Sequence, residues 1–330
     1  MWIQLYAVAR NAMVESVRQR FFAVWLGLIG FLLVINPFLA AYTFSNDDAL
    51  ASDMGLSMLL IGGLVLAAFV ASGVIGREIE NKTALTVVSK PLARPVFVIG
   101  KYLGVLASLV VAWWIWTLLH LMSLRQGAFS TVRVPWDRPV IVFGLGTVLA
   151  ATMIAISANY FFRKPFTGAW ARWLSVLLPL GVLAAAPFNH EFATEPNGEL
   201  FDRGQWLAVF LILQATMVFA AVAVAASTRL GQSATLVVML VVFFLGITSD
   251  YAFGRRAAEA AEAGDVAGWA KIGYAAAPNF QFHWLGDAIS QGTIDQVGFR
   301  FVALVSLYTL CLVIGVLGLA VALFQTRNAS

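Results

Sequence analysis

Long apolar runs constrain the fold of this chain more than any other feature. Eight mostly uncharged stretches approach the length of about 20 residues that a helix needs to cross the hydrocarbon core of a bilayer. They are Phe21–Phe44, Leu56–Ile75, Val96–Leu124, Val140–Phe162, Trp173–Phe188, Trp206–Ala226, Ser233–Ser249 and Phe301–Phe324. Of the 330 residues, 61% are hydrophobic and 12% charged, whereas about a quarter of a soluble globule is charged. The sequence therefore predicts an all-α membrane protein, a helical bundle, and excludes a water-soluble fold.

The number of spans depends on the middle of the chain. The run Trp173–Phe188 is short and contains Pro179 and Pro187, so it is compatible with either a full span or one arm of a re-entrant hairpin. We expect between six and eight transmembrane helices. A hairpin returns the chain to the side it left, so the orientation of the later spans is the same in both cases.

The distribution of charge predicts the orientation. With a cytoplasmic N-terminus, the inner segments carry thirteen Lys and Arg against three carboxylates, and the outer segments carry eight against fourteen. The net values of +10 and −6 account for the total of +4. Because Lys and Arg are retained on the cytoplasmic side, we expect a multi-pass protein of the plasma membrane, the inner membrane in a prokaryote, with both termini cytoplasmic. This sidedness explains the basic balance without a nucleic-acid partner.

Two polar regions flank the spans. Residues 1–20 read as an amphipathic helix lying in the membrane interface, with a short extension of the first span as the alternative. Its predicted apolar face comprises Trp2, Ile3, Leu5, Tyr6, Ala9, Met13 and Val17. Residues 21–330 form a single transmembrane domain. Within it, the external segment 251–300 is aromatic-rich, which favours interfacial helices over a solvated loop.

Signals for catalysis are weak. Cys311 is the one cysteine, and the three histidines His120, His190 and His283 have no partner at a metal-ligand spacing. His120 and His283 are expected to be interfacial residues. A phosphate-binding loop is also missing: Gly100-Lys101-Tyr102 has neither the upstream glycine nor the magnesium-binding hydroxyl. No span is predicted to bury an ionisable residue, which argues against a proton-coupled carrier and weakly favours an apolar or amphipathic cargo.

The segment Gly76–Gly104 stands apart from the other connections. The second span is expected to continue through Glu80, and Thr83 can cap a short helix that stops before Pro91. Pro95 then starts the third span. An ordinary loop with snorkelling lysines is the alternative.

The motifs in this segment occur in a specific order. Glu78-Ile79-Glu80-Asn81-Lys82-Thr83 is followed by Ser89-Lys90-Pro91-Leu92-Ala93-Arg94 and then Gly100-Lys101-Tyr102-Leu103-Gly104. This order resembles the first cytoplasmic loop of ABC type 2 transporter permeases. The helix over residues 1–20 looks like the connecting helix of that family, and the turn Ala226–Gly231 resembles a short cytoplasmic turn between two later spans. Six spans are usual in the family, so a further pair near 140–188 is a departure.

The resemblance implies a membrane subunit of an exporter, with no cofactor bound by this chain and ATP and Mg²⁺ held by separate nucleotide-binding subunits. A coupling helix within the loop 76–101 would contact the ATPase. The implied coupling residues are Glu78, Glu80, Lys82, Thr83, Leu85, Ser89, Lys90, Pro91, Arg94 and Lys101. A second permease, identical or related, is also implied, and Gly27 with Gly30 or Gly315 with Gly318 are candidates for close helix approach.

Two other function classes fit parts of the sequence. The first is a non-transporting membrane platform that recruits a cytoplasmic partner through the loop 76–101. The second is an intramembrane enzyme, for which His120 and Asp250 are the candidate catalytic groups. The sequence does not exclude the platform, whereas the enzyme requires a polar catalytic group inside a span.

Overall fold

The computed structural model describes residues 2–40, 47–80, 93–127, 136–194, 202–262 and 268–325. Within these ranges the chain is helical and contains no strand. Eight of the helices are long and apolar enough to cross a membrane. The predictions of an all-α fold and of a multi-pass membrane protein are therefore confirmed, and each of the eight predicted runs corresponds to one of these helices.

The helices are numbered in chain order. The first half contains α1 (Trp2–Arg18), α2 (Arg20–Ala40), α3 (Asp47–Glu80), α4 (Arg94–Gln126), a π-helical segment (Val140–Leu145) that continues into α5 (Gly146–Phe162), and α6 (Phe166–Ala185). The second half contains α7 (Arg203–Ser227), α8 (Gln232–Ser249), a π turn (Asp250–Gly254), α9 (Arg255–Glu262), α10 (Gly268–Ala276), α11 (Gly286–Ser290) and α12 (Phe299–Gln325). Two 3₁₀ turns, Phe280–His283 and Ile294–Gln296, flank α11.

The helix bounds refine the predicted spans. The fifth span begins at Phe166 rather than Trp173, and its 20 residues continue through Pro179. At 1.5 Å per residue it is about 30 Å long, the thickness of a hydrocarbon core, which favours eight full spans over a hairpin. α3 starts nine residues before the predicted Leu56 and, as expected, continues to Glu80. α4 starts with Pro95 in its first turn, also as expected.

The centre of the bundle is formed by α3 and α7. In their apolar windows 72% of the residues are buried, against 17% for α5, α8 and α12. α2, α4 and α12 pack around this pair, and α6 packs on α4 and carries α5 on its other side. The segment after α8 folds back onto the bundle, and its residues Phe280, His283 and Leu285 are buried there. The predicted short helices in 251–300 are present, but part of this segment lies inside the protein.

The packing of α1 on α4 depends on two glycines. A Cβ on Gly104 would collide with the carbonyl oxygen of Ala9 and the Cβ of Ala12. A Cβ on Gly100 would lie 2.8 Å from Val8 Cγ1. Small residues four apart let two helix backbones approach closely. The Gly100–Gly104 motif therefore seats α1 along the first turns of α4.

The glycines proposed for contact between subunits behave differently from one another. Gly27 and Gly30 face Trp170 and Leu119 of the same chain at 3.1 and 3.2 Å. Gly315 and Gly318 have no atom within 4 Å of the position a Cβ would take. The first pair therefore serves packing within the chain.

Gly104→Ala should lower the thermal unfolding midpoint of the detergent-solubilised protein, because the added methyl group meets backbone of α1. Overpacking of this kind costs about 1–3 kcal/mol. Gly315→Ala is the matched control. It adds the same methyl group in open space, where alanine is favoured over glycine in a helix by about 1 kcal/mol. Equal midpoints for the two variants, measured by tryptophan fluorescence, would contradict the assigned role of Gly104.

Candidate partner-binding surface

The predicted coupling loop lies between the end of α3 and the start of α4. Glu78 and Glu80 belong to the last turn of α3. Arg94 is the first residue of α4, and Lys101 follows two turns later. Lys82, Thr83, Leu85, Ser89, Lys90 and Pro91 lie outside the described residues, and the predicted helix at Thr83 to Ser89 remains a prediction.

Arg94 holds the start of α4 to the end of α12. Its Nη1 donates to the carbonyl oxygen of Gln325 at 2.7 Å. Arg229, in the turn between α7 and α8, donates from Nε and Nη2 to the carbonyl oxygen of Leu323 at 3.0 and 2.7 Å. The last carbonyls of a helix lack partners within it and carry partial negative charge. Both guanidinium groups thus hydrogen-bond carbonyl groups at the end of α12. They hold the start of α4 and the turn between α7 and α8 to the same end of the bundle.

Lys101 is buried rather than available at the surface. Its side chain is 2% exposed, its Nζ lies 3.9 Å from Glu15 Oε2 of α1, and it lies 5.6 Å from the centre of the Phe97 ring. A buried ammonium requires a countercharge. The position of Lys101 therefore indicates that it stabilises the contact between α1 and α4, and its part in coupling to a partner stays a prediction.

The C-terminal part of α1 also reaches α3. Gln19, which follows α1, donates from Nε2 to the carbonyl oxygen of Val70 at 3.4 Å. A Cβ on Gly73 would lie 2.8 Å from Gln19 Oε1, so the glycine makes room for this side chain. α1 is thus attached to both helices that flank the loop. Because α1 marks this end of the bundle, we call it the α1 end.

The sequence-based expectation that no span buries an ionisable residue is wrong. His120 of α4 is completely buried, where it was expected to be interfacial, and it fits against Gly55 of α3 and beside Gln205 of α7. Lys101 and Arg125 are 2% exposed. The argument against a proton-coupled carrier, which rested on the absence of such residues, loses its premise.

Arg125 and Asp137 form a buried ion pair at the end of the bundle opposite α1. Arg125 Nε lies 2.8 Å from Asp137 Oδ2, and both side chains are fully buried. Arg125 also donates to the carbonyl oxygens of Ala185 and Phe188, each at 2.8 Å. His190 Nδ1 lies 2.9 Å from the same Asp137 oxygen. The cluster therefore joins the end of α4 to the residues just before the π-helical segment and to the end of α6.

Sequence reasoning missed this cluster because charges at span ends are ordinarily solvated. Arg125 and Asp137 are twelve residues apart, on different elements, and no periodic pattern connects them. Both had been counted among the outer charges. Among the described residues, no three His, Cys, Asp or Glu side chains are grouped as a metal site.

His283 belongs to a second buried network, between the 3₁₀ turn and α12. Its Nε2 lies 2.8 Å from Thr309 Oγ1, and Thr309 in turn donates to Gln214 Oε1 of α7 at 3.2 Å. Gln214 Nε2 donates to Ser306 Oγ at 2.8 Å. His283 lies outside the eight candidate spans but is 2% exposed, where it was expected to be interfacial. Burial lowers its pKa from 6.5 to about 4.

Comparison of the chain with protein-family models and with curated proteins found no match. The resemblance to ABC type 2 permeases therefore rests on the residues of the segment 76–104, with the helix over residues 1–20 and the turn Ala226–Gly231 as weaker parts of it. The described geometry places Arg94 and the last turn of α3 on either side of the undescribed residues 81–92.

Lowering the pH should destabilise the protein through His283. In the folded state the pKa of His283 lies below the unfolded value of 6.5. The stability that depends on a neutral His283 is therefore fully present above pH 6.5 and is lost as the pH falls toward 4. The shift corresponds to about 3 kcal/mol. We expect the unfolding midpoint of the wild type to fall more between pH 7.5 and 4.5 than that of His283→Gln. Parallel curves for the two proteins would contradict this assignment.

Asp137→Asn should destabilise the protein by about 3–5 kcal/mol, because it leaves the buried Arg125 guanidinium without a countercharge. Asp295→Asn makes the same chemical change at an exposed position of the second 3₁₀ turn and serves as the control. The unfolding free energy of the purified protein, measured with denaturant in mixed micelles, distinguishes the two. A loss below 1 kcal/mol for Asp137→Asn would refute the role of the pair.

Proposed function

We propose that this chain is the permease subunit of an ABC type 2 exporter. The observation that carries the proposal is the order of three motifs in the segment 76–104, which resembles the first cytoplasmic loop of such permeases. ATP would be hydrolysed by separate nucleotide-binding subunits, with ATP and Mg²⁺ bound there. The chain itself would be a transport subunit and not an enzyme, located in the plasma membrane with both termini cytoplasmic.

The helices that flank the loop suit the transmission of a movement. α3 has 34 residues and α4 has 33, so each is about 50 Å long and exceeds the hydrocarbon thickness of about 30 Å. Each is a continuous helix, so a partner bound at residues 81–92 would displace it as a rigid body. A coupling mechanism needs such an element with two arrangements.

The attachments at the α1 end define what would move together. α1 is held to α4 by Gly100, Gly104 and the Lys101–Glu15 pair, and Arg94 holds α4 to the end of α12. A displacement of the loop would therefore act on α1, α3, α4 and α12 as a group. In this proposal α1 is the amphipathic connecting helix of the interface, and Trp2, Ile3 and Tyr6, each at least 69% exposed, lie against lipid.

The coupling residues then divide into two groups. Glu78, Glu80, Lys82, Lys90 and the apolar face at Leu85 would contact the ATPase, and Thr83, Ser89 and Pro91 would set the bounds of the coupling helix. Arg94 and Lys101 would act indirectly, since their hydrogen bond and ion pair are made within the chain. A second permease subunit would complete the translocation path.

Reversal of one charge in the loop tests the proposal. The wild-type protein, purified from its native membrane under mild conditions, should bring with it an ATPase that contains a phosphate-binding loop. Lys90→Glu should reduce the recovered ATPase at least tenfold, a change of about 1.4 kcal/mol in binding. Lys164→Glu, between α5 and α6, is the matched control because Lys164 is exposed and its described contact is with Phe162.

Three outcomes are informative. Recovery of no such ATPase with the wild type, or equal losses for the two variants, would contradict the assignment. Co-purification without substrate-stimulated ATP hydrolysis after reconstitution would favour a membrane platform over a transporter. The unfolding midpoint of each variant, measured alongside, separates loss of binding from loss of folding.

A further inference from the structure

An apolar cleft opens between α2, α4 and the π-helical segment that leads into α5. The residues that line it include Val34, Leu119, Trp136 and Val148. It lies toward the end of the bundle opposite α1, where α2 and α4 end. None of the residues that line it is charged.

Two of the residues that line this cleft each carry a buried polar atom that has no hydrogen-bond partner among the described residues. These atoms are Ser123 Oγ and Gln126 Nε2, on residues that are 6% and 8% exposed. Gln126 Oε1 accepts from the backbone N–H of Asp137 at 3.0 Å, which fixes the orientation of the amide and leaves Nε2 without an acceptor among the described residues. A buried polar group without a partner destabilises the fold, so these donors call for an acceptor.

The opposite wall is unusual in its backbone. Val140–Leu145 form a π-helix, a form that occurs mostly in short pieces at functional sites. Gly144 brings this segment against α4, because a Cβ there would lie 2.9 Å from Met122 Sδ. The wider π turn therefore shapes the cleft together with the apolar face of α2.

The charges nearby determine which acceptor fits. Arg125 is the cation closest in sequence to Gln126, and its guanidinium is occupied by Asp137, Ala185 and Phe188. On α4 an acceptor would therefore meet the amide of Gln126 and no free guanidinium, which suits the neutral carbonyl of an ester. The exposed Arg138 lies in the chain between the lining residues Trp136 and Val140. From Leu119 to Gln126 the cleft follows α4 for about 10 Å. Trp136 at this level is typical of the membrane interface.

We propose that the cleft binds one acyl chain of a bilayer glycerolipid, whose ester carbonyl accepts a hydrogen bond from Gln126 Nε2. The chain would lie along α4 between Val34 and Val148, and Ser123 would provide a second donor. The ester linkage lies next to the interface in a bilayer, at the depth that Trp136 marks. Lipid binding at this site requires no ATPase, so it can be tested separately from the proposed transport function.

Photo-crosslinking tests the site on the full-length protein in nanodiscs. The probe is phosphatidylcholine with a diazirine on one acyl chain, and the labelled peptides are identified by mass spectrometry. We expect labelling to concentrate on the cleft walls of α2, α4 and α5. Val148→Trp, which fills the cleft, should reduce this labelling at least fivefold. Leu149→Trp is the matched control, since Leu149 is 65% exposed on the same helix.

A competition arm changes the ligand instead of the protein and stays informative if Val148→Trp fails to fold. Unlabelled diester phosphatidylcholine should compete with the probe at least fivefold better than the diether analogue, which lacks the carbonyl acceptor. Equal competition by the two lipids would overturn the hydrogen bond to Gln126. Labelling spread evenly over the lipid-exposed faces and unchanged by Val148→Trp would indicate annular lipid only and overturn the site.

Discussion

The close contact between α1 and α4 is the constraint on which the α1 end of the structure depends. It exists because Gly100 and Gly104 carry no side chain where the backbone of α1 passes. The approach buries Lys101, which then needs Glu15 as its countercharge, and it brings Gln19 within reach of α3. Steric fit therefore comes first, and the ion pair is possible only because that fit has been achieved. The same contact positions the start of α4, which follows residues 81–92 in the chain.

At the opposite end of the bundle, a buried ion pair joins the helices. Arg125 and Asp137 would each be costly to bury alone, but together with backbone carbonyls they satisfy one another and join α4 to the α5–α6 pair. This pair of helices forms the fourth and fifth of the eight candidate spans. A buried pair that loses one partner is strongly destabilising, so the position of the additional helices depends on a few specific atoms and not on apolar contact alone.

Periodicity and length were sufficient to predict the helices but not the partners of their charges. The eight runs, the continuation of α3 to Glu80 and the start of α4 at Pro95 follow from local rules of hydrophobicity and proline geometry. The burial of His120 depends on Gly55 and Gln205, which are 65 and 85 residues away by number and reach it only through the tertiary fold. The burial of Lys101 against Glu15 could not be predicted for the same reason, because a sequence motif does not show which surface a residue faces.

α4 connects the two ends physically. It carries Lys101 near its start, His120 in its interior, and Arg125 with Gln126 at its end. Under the proposed function, a partner that displaced the α1 end would act on a continuous helix of about 50 Å, and we infer that the displacement would reach the spacing between α4 and the π-helical segment. That spacing sets the width of the apolar cleft. If the cleft holds an acyl chain, lipid occupancy and partner binding act on one equilibrium, and each must then shift the other by the same free energy.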